Sequence, residues 1–246
     1  MKRISRGFVT TVAAAAAVTC AATLGVPPAS AASVTGWVGP AGTTGFLHTS
    51  TIVNAPDLYA SSKIYSAVGA TASDGRIGVR PRLFKSGALC EAIDYQYNWY
   101  PAPEWSAQTS ATCGSGSYNS HGFVAVYNTS SSSYDQFVTF PSNPLNWTAP
   151  AARASARSAA VPDSARTSGT NTRGEKFGSA ATEQSSELAL IAAIGTNGEI
   201  GYVRSGELNL PPASSPATAP KGKPASRTIG LFKSDGTTRI GVFKVN

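Results

Sequence analysis

Short runs in which apolar and polar residues alternate fill the chain from about Thr35 to Trp147. An alternation with a period of two is typical of a strand with one buried face, and this region lacks the periodicity of an amphipathic helix. Turn sequences such as Ser73-Asp74-Gly75 and Ser86-Gly87 end the runs. About seven short strands of this kind predict a mainly β fold, with an antiparallel β-sandwich domain over residues 32–150.

One of the predicted strands carries a row of arginines. Its aliphatic residues Ile77, Val79 and Leu83 alternate with a second set of side chains. That second set consists of Arg76, Gly78, Arg80 and Arg82. The alternation predicts a buried aliphatic face and a solvated basic face. Pro81 has no backbone N–H, so the strand is expected to lie at a sheet edge or to be bulged there.

The composition changes after residue 150. Residues 151–172 contain one large aliphatic residue, Val161, and no aromatic residue. Such a segment buries too little apolar surface to offset its ordering entropy, which predicts a disordered basic linker. Residues 173–246 are then a small C-terminal module, β-rich or α+β, with a Pro-rich insertion over residues 211–226. The Asp235-Gly236 dipeptide predicts a hairpin near its end.

The N-terminus has the three parts of a secretory signal peptide. Lys2, Arg3 and Arg6 precede an apolar run, and Ala29-Ser30-Ala31 supplies the small residues of a cleavage site. The alternative is an uncleaved membrane anchor, but the run is rich in Ala and Thr and weakly hydrophobic for a span. We therefore expect residues 1–31 to be removed between Ala31 and Ala32. The mature protein is expected outside the cell, with no membrane span.

Cysteine usage agrees with that location. Cys20 lies within the predicted signal peptide, which leaves Cys90 and Cys113 as an even pair. In a secreted chain such a pair predicts one disulfide, and the loop that it closes corresponds to about 3.4 kcal/mol of stabilisation. A reactive thiol pair is the alternative, but neither cysteine lies in a Cys-x-x-Cys motif or beside a histidine.

The positive charge of the chain is unevenly distributed. The formal net charge is +7. Residues 32–150 hold five Lys or Arg against six Asp or Glu, whereas residues 151–246 hold twelve against seven. A basic C-terminal part suits an anionic cell-wall polymer, and a simply solvated basic linker is the alternative. Nucleic acid is not expected as a partner after export.

The residues that could carry out chemistry form no catalytic signature. His48 and His121 are the two histidines, and the chain has no Gly-x-Ser-x-Gly elbow, no metal-binding motif and no cofactor motif. Glu91, Asp94 and Glu104 lie near aromatic residues, as the carboxylates of a glycosidase do. A sandwich whose core is aromatic and whose acids face water has the same pattern. No catalytic, cofactor-binding or metal-binding residue is therefore predicted.

Aromatic residues between the two cysteines are better suited to binding. Trp99, Tyr100 and Trp105 fall in the loop that the disulfide would close, and a rigid loop of this composition can stack on sugar rings or hold a protein partner. The alternative is that one or both tryptophans cap the core. A loop centred near Pro101–Ser106 could also belong to a small proteinase inhibitor.

A resemblance covers roughly residues 174–246. The strings FGSAATEQSSELALIAAIGTNGEIGYVRSGEL and TIGLFKSDGTTRIGVFKV look like a C-terminal module of secreted or envelope proteins of Gram-positive bacteria. The signal peptide and the β-domain likewise look like those of actinomycete extracellular proteins. No activity is attached to that module, so the resemblance carries over no functional residue. It implies an extracellular or wall-associated location.

The function that the sequence favours is therefore a secreted, non-enzymatic protein. We expect it to bind at the cell envelope or in the extracellular matrix, to a wall polymer, a polysaccharide or another protein. The alternatives are a secreted carboxylate-based hydrolase and a small proteinase inhibitor.

Overall fold

The structure of the protein, a computed structural model, describes residues 32–150, 168–182 and 187–246. The predicted signal peptide, Ala31 at its cleavage site and residues 151–167 of the predicted linker lie outside the described residues. In the first described range the strands are β1 (Ser33–Thr35), β2 (Gly39–Pro40), β3 (Phe46–Val53), β4 (Tyr59–Ser66), β5 (Ile77–Arg80), β6 (Arg82–Lys85), β7 (Ala88–Ala92), β8 (Gln96–Tyr97), β9 (Glu104–Gln108), β10 (Gly116–Ser120), β11 (Phe123–Asn128), β12 (Ser133–Val138) and β13 (Leu145–Trp147).

The remaining described residues add further strands and one short helix. These are β14 (Gly169–Thr170), β15 (Lys176–Gly178), β16 (Leu190–Ile194), β17 (Ile200–Arg204), α1 (Ser205–Leu208), β18 (Arg227–Phe232) and β19 (Arg239–Val245). A 3₁₀ turn covers Pro216–Thr218. Most strand pairs are antiparallel, so the predicted mainly β fold is confirmed. The C-terminal module is β-rich rather than α+β, because α1 is a single turn of four residues.

The strands form three hydrogen-bonded sheets. A five-stranded sheet has the order β1-β3-β4-β9, with β2 also paired to β3. A four-stranded sheet has the order β12-β11-β5-β8. A ten-stranded sheet runs β13-β10-β6-β7-β19-β18-β17-β16-β15-β14.

The five-stranded sheet packs against both of the others. Ile64 of β4 lies in one apolar cluster with Val124 of β11, and Ile52 of β3 lies in another with Leu83 of β6 and Tyr118 of β10. Strands β3, β4 and β9 alternate between buried and more exposed residues, as a strand with one covered face does. One layer is therefore the five-stranded sheet, and the other two sheets lie across it.

The arginine-bearing strand breaks where the proline stands. Strand β5 belongs to the four-stranded sheet and β6 to the ten-stranded sheet, with Pro81 between them. The prediction that the second face of this strand is solvated is wrong for Arg80 and Arg82, which are 3% and 0% exposed. Other parts of the chain cover that face: the Leu210 carbonyl accepts from Arg80, and the His121 carbonyl accepts from Arg82.

Strand β7 closes a five-stranded barrel. The sequential strands β16, β17, β18 and β19 pair with one another, and β7 pairs in parallel with both ends of this series. The two closing pairs are Leu89 with Ala193 and Ala92 with Val245. Leu89 and Ala92 are buried in the barrel core together with Phe243. The barrel is therefore completed by a strand from the first part of the chain.

This arrangement differs from two bodies that meet only through a linker. Strand β7 belongs to the predicted first domain, whereas β16 and β19 belong to the predicted C-terminal module. In addition, Gly169–Thr170, at the end of the predicted linker, pairs with β15. The residues on both sides of residues 151–167 thus share one hydrogen-bonded sheet.

The disulfide between Cys90 and Cys113 is present, as predicted. Cys90 lies on β7, and both cysteines are fully buried. None of the helices within the described ranges is long and apolar enough to span a membrane.

Candidate functional site

The aromatic segment, residues 99–105, lies at the edge of the five-stranded sheet that β9 forms. Trp99 and Tyr100 precede β9 and are 46% and 52% exposed, whereas Trp105 lies within β9 and is 8% exposed. The sequence left open whether these aromatic residues form an exposed loop or cap the core, and the answer differs between them. Trp105 packs into the core, and Trp99 and Tyr100 are presented to solvent.

The three rings contact one another edge to face. The Trp99 and Trp105 ring centroids are 4.8 Å apart at 83°, and those of Tyr100 and Trp105 are 5.4 Å apart at 76°. Edge-to-face contacts at these distances are favourable because the positive ring edge meets the negative ring face. The buried Trp105 thus supports the two exposed rings from below.

The three rings border an open groove of about 430 Å³, which we call the aromatic groove. Its other walls are the chain from Pro101 to Pro103, and its polar groups come from Gln96, Glu104 and Ser106. Glu104 forms an exposed ion pair with Lys63, with Nζ and Oε2 2.7 Å apart. A surface with exposed aromatic side chains and polar groups at its border can stack on a ring and hydrogen-bond to its substituents.

Asn98 holds the aromatic segment in place, and its side chain is almost completely buried. Its Oδ1 accepts a hydrogen bond from the Ile77 N–H at 3.0 Å. Its Nδ2 donates to the Ser73 carbonyl at 2.8 Å and to the Tyr100 carbonyl at 3.0 Å. One amide thus fixes the start of the segment to the turn before β5 and to the strand itself.

Backbone pairing fixes the other end of the segment. Ala72 and Ala102 exchange two backbone hydrogen bonds of 2.9 and 3.0 Å, and the Ser66 N–H donates to the Pro103 carbonyl at 2.8 Å. Sequence reasoning assigned the rigidity of this loop to the disulfide. Cys90 and Cys113 instead belong to a different apolar cluster from Trp105, and Asn98, which fixes the loop, was missed. An Asn directly before an aromatic run is a weak signal, because its bonding partners are distant in sequence.

The three carboxylates considered for hydrolysis have separate partners. Glu91 is buried and accepts from the Ser110 N–H and from Asn246 Nδ2. Asp94 forms a two-point ion pair with Arg227, and Glu104 pairs with Lys63. A glycosidase needs two carboxylates that flank one bond. The observed arrangement does not bring these residues together in that way.

The segment Pro101–Ser106 does not protrude as an inhibitory loop would. Ala102 is 5% exposed and bridged to Ala72, and Ser106 is paired with Lys63 in the sheet. An inhibitor presents a segment that a protease can pair with and cleave. Here the backbone of this segment is already paired with the protein's own chain.

Both histidines are buried. His48 is 2% exposed and His121 is 0% exposed. Burial, with the positive charge of Arg82 nearby, lowers the pKa of His121 to about 4, and burial also lowers the pKa of His48. Neither ring is therefore accessible to a substrate from solvent. No group of three or more His, Cys, Asp or Glu side chains that could hold a metal ion occurs among the described residues.

The fold and the groove together define a class of protein: a mainly β protein with a preformed, solvent-facing aromatic groove at the edge of a sheet. Comparisons of the chain with protein-family models, with curated proteins and with solved structures found no match.

Proposed function

We propose that this is a secreted, non-enzymatic protein that binds at the cell envelope or in the extracellular matrix through the aromatic groove. The exposure of Trp99 and Tyr100 carries the proposal. Large aromatic side chains in a soluble protein are normally covered, so two that lie together on rigid backbone favour a binding site.

The chemistry of the groove favours a polysaccharide as the ligand. Sugar rings present flat C–H faces that stack on indole and phenol rings, and they carry hydroxyl groups at their edges. The exposed rings supply the stacking surface, and Gln96, Glu104 and Ser106 supply hydrogen-bonding groups at its border. Because Asn98 fixes the segment before any ligand arrives, little conformational entropy is lost on binding.

The charge of the chain supports a second, weaker contact. Residues 151–246 carry twelve basic against seven acidic residues, so an anionic wall polymer would attract this part of the chain. Salt screens such an attraction, whereas stacking in the groove persists. The resemblance of residues 174–246 to modules of secreted Gram-positive proteins supports the same location.

Export can be tested independently of binding. The proposal expects protein from the culture medium to begin at Ala32, within a residue or two, by N-terminal sequencing. Recovery of the full-length chain in the membrane fraction only would overturn this part of the proposal.

Binding is tested by sedimentation with insoluble polysaccharides and purified cell wall at low and at high salt. Trp99→Ala and Tyr100→Ala should each weaken salt-resistant binding by about tenfold, since a central aromatic contact contributes roughly 1–2 kcal/mol. Trp37→Ala is the matched control, because Trp37 is 83% exposed but does not border the groove. A protein that stays in the supernatant with every polymer at low salt, or an equal loss on Trp37→Ala, would refute the proposal.

A further inference from the structure

A second cavity lies under the Pro-rich segment and shares no lining residue with the aromatic groove. Residues 210–224, which we call the proline strap, pair with the edge strand β8 of the four-stranded sheet through Lys221 and Tyr97. They border an open cavity of about 430 Å³. Tyr95 and Tyr97 form the wall on the sheet side. Pro211, Pro212, Pro220 and Pro224 form the wall on the strap side. The cavity is thus bordered by flat tyrosine rings and by rigid, puckered proline rings.

The strap is attached to the sheet at several points. The Ala213 N–H donates to Tyr97 Oη at 2.8 Å, and the Leu210 carbonyl accepts from the Arg80 guanidinium. Ala219 is buried in the cluster that contains Tyr97 and Tyr134. The two walls are therefore held in place by protein contacts, and the space between them is preformed.

Arg80 brings a buried positive charge to this cavity. Its side chain lines the cavity and is 3% exposed, and its guanidinium carbon lies 4.2 Å from the ring centroid of Tyr95. Within the described part of the chain, Nε of Arg80 has no hydrogen-bond partner. Because Arg80 is buried, its charged form is poorly solvated, and this lowers its pKa. A buried and poorly solvated guanidinium costs free energy, and an acceptor that reaches it from the cavity would recover part of that cost.

The charges around Arg80 are not balanced. Arg82, which is fully buried, and Arg227 both act electrostatically on the same cluster. The carboxylate that acts on Arg80 is that of Asp94, and both of its oxygens are bound to Arg227, at 2.6 and 2.9 Å. Asp94 is therefore already paired with Arg227, and among the described residues Arg80 bonds to Asn209 and to the Leu210 carbonyl but to no carboxylate. A buried excess of positive charge is relieved by an anion.

From this cavity and its charge we propose that the space under the proline strap is a binding site for a small aromatic monocarboxylate. The ring of the ligand packs between the tyrosine and proline walls, and its carboxylate accepts from Arg80. Asp94 also lines the cavity, but its charge is paired with that of Arg227. The remaining charge is that of Arg80, so a ligand with a single negative charge suits the site. The site is separate from the aromatic groove, so it does not depend on the function proposed for that groove.

The test uses the purified chain and isothermal titration calorimetry with 2-naphthoate, and 2-naphthamide serves as the neutral probe of the same shape. We expect 2-naphthoate to bind at least about tenfold more tightly than the amide, because a charge-assisted hydrogen bond is stronger than a neutral one. Arg80→Gln should remove that preference. Arg76→Gln is the matched control: Arg76 lies over Tyr127 and bonds to its carbonyl, but does not line the cavity.

A second variant covers the case in which Arg80→Gln does not fold. Ser214 is exposed at the rim of the cavity, so Ser214→Trp should fill the entrance, leave the fold intact and weaken 2-naphthoate binding about tenfold or more. Trp99→Ala should leave this binding unchanged. The proposal is overturned if 2-naphthoate does not bind, if the amide binds equally well, or if Ser214→Trp leaves the affinity unchanged.

Discussion

Ala92 of β7 and Val245 of β19 are paired in parallel, although they belong to the first and the last part of the chain. Together with the pair between Leu89 and Ala193, this contact closes the five-stranded barrel. Without β7, the second edge of β19 and the end of β16 beyond its pairs with β15 would be unpaired, and the barrel core would lack Leu89 and Ala92. Unpaired backbone groups and missing core residues both oppose independent folding.

The first prediction is therefore that residues 168–246, produced alone, do not fold cooperatively. We expect no cooperative transition in urea or on heating, as followed by circular dichroism. The same residues joined through a short Gly-Ser linker to a copy of residues 82–92 should recover such a transition. Cooperative unfolding of residues 168–246 by themselves would support the sequence-based division into two domains instead.

Limited proteolysis supplies the control for that experiment. The composition of residues 151–172 predicts that trypsin cuts first after Arg153, Arg157 or Arg166. Because strands from both sides of the cut share one sheet, the two fragments should co-elute on size exclusion and separate only in denaturant. Fragments that separate in buffer would show that the shared strand contributes little.

The second prediction concerns Asn98. Asn98→Ala leaves the Ile77 N–H and the Ser73 carbonyl without their partner, which should lower the free energy of unfolding by about 2–4 kcal/mol. The tryptophan emission should also shift to longer wavelength, because Trp99 and Trp105 lie in the segment that Asn98 fixes. Asn128→Ala, at the partly exposed end of β11, should cost about 1 kcal/mol or less.

A variant that separates the two roles of the Asn98 amide is Asn98→Asp. The carboxylate keeps the acceptor for the Ile77 N–H but loses the donor to Ser73 and Tyr100. Salt-resistant polysaccharide binding should fall in both Asn98 variants if loop rigidity matters for binding. Unchanged stability in Asn98→Ala would contradict the role assigned to this residue.

The third prediction concerns the disulfide. Its cysteines are 23 residues apart and fully buried, so reduction should require partial unfolding and should lower stability by about 3 kcal/mol. Thermal unfolding with and without reductant measures the change, and Cys90→Ala with Cys113→Ala is the matched variant. Because the aromatic segment is fixed by other contacts, the reduced protein should keep its polysaccharide binding below its melting temperature. Loss of binding on reduction in the folded protein would contradict this.

The fourth prediction is a pH dependence from His121. Its pKa is lowered from 6.5 to about 4 in the folded state, mainly by burial, so the unfolded chain binds the proton more readily. Stability from this group is fully present above pH 6.5 and is lost as the pH falls towards 4, by up to about 3 kcal/mol. His121→Gln should flatten this part of the urea stability profile relative to the wild type. Parallel profiles for the two proteins would contradict the assignment.

Features that depend on neighbouring residues could be predicted from the sequence alone. Alternating residues between about Thr35 and Trp147 predicted short strands, and the structure shows short strands throughout that part of the chain. Ser86-Gly87 predicted a tight turn, and both residues have positive φ angles, 47° and 89°, as a type I′ hairpin requires. An even cysteine count predicted the bond between Cys90 and Cys113. In each case the decisive interaction is set by a short pattern or by a count.

Features that depend on contacts between distant segments were decided by the tertiary structure. The alternation around Arg80 and Arg82 predicts which side chains share a face. It does not predict that the chain near His121 and Leu210 covers the face on which these arginines lie. The same holds for Asn98, whose bonds reach Ser73 and Ile77, and for β7, which pairs with strands from the far end of the chain. A period of two specifies which side chains share a face, whereas which segment covers that face follows from the packing of the whole chain. That packing divides the aromatic segment into the buried Trp105 and the exposed Trp99 and Tyr100.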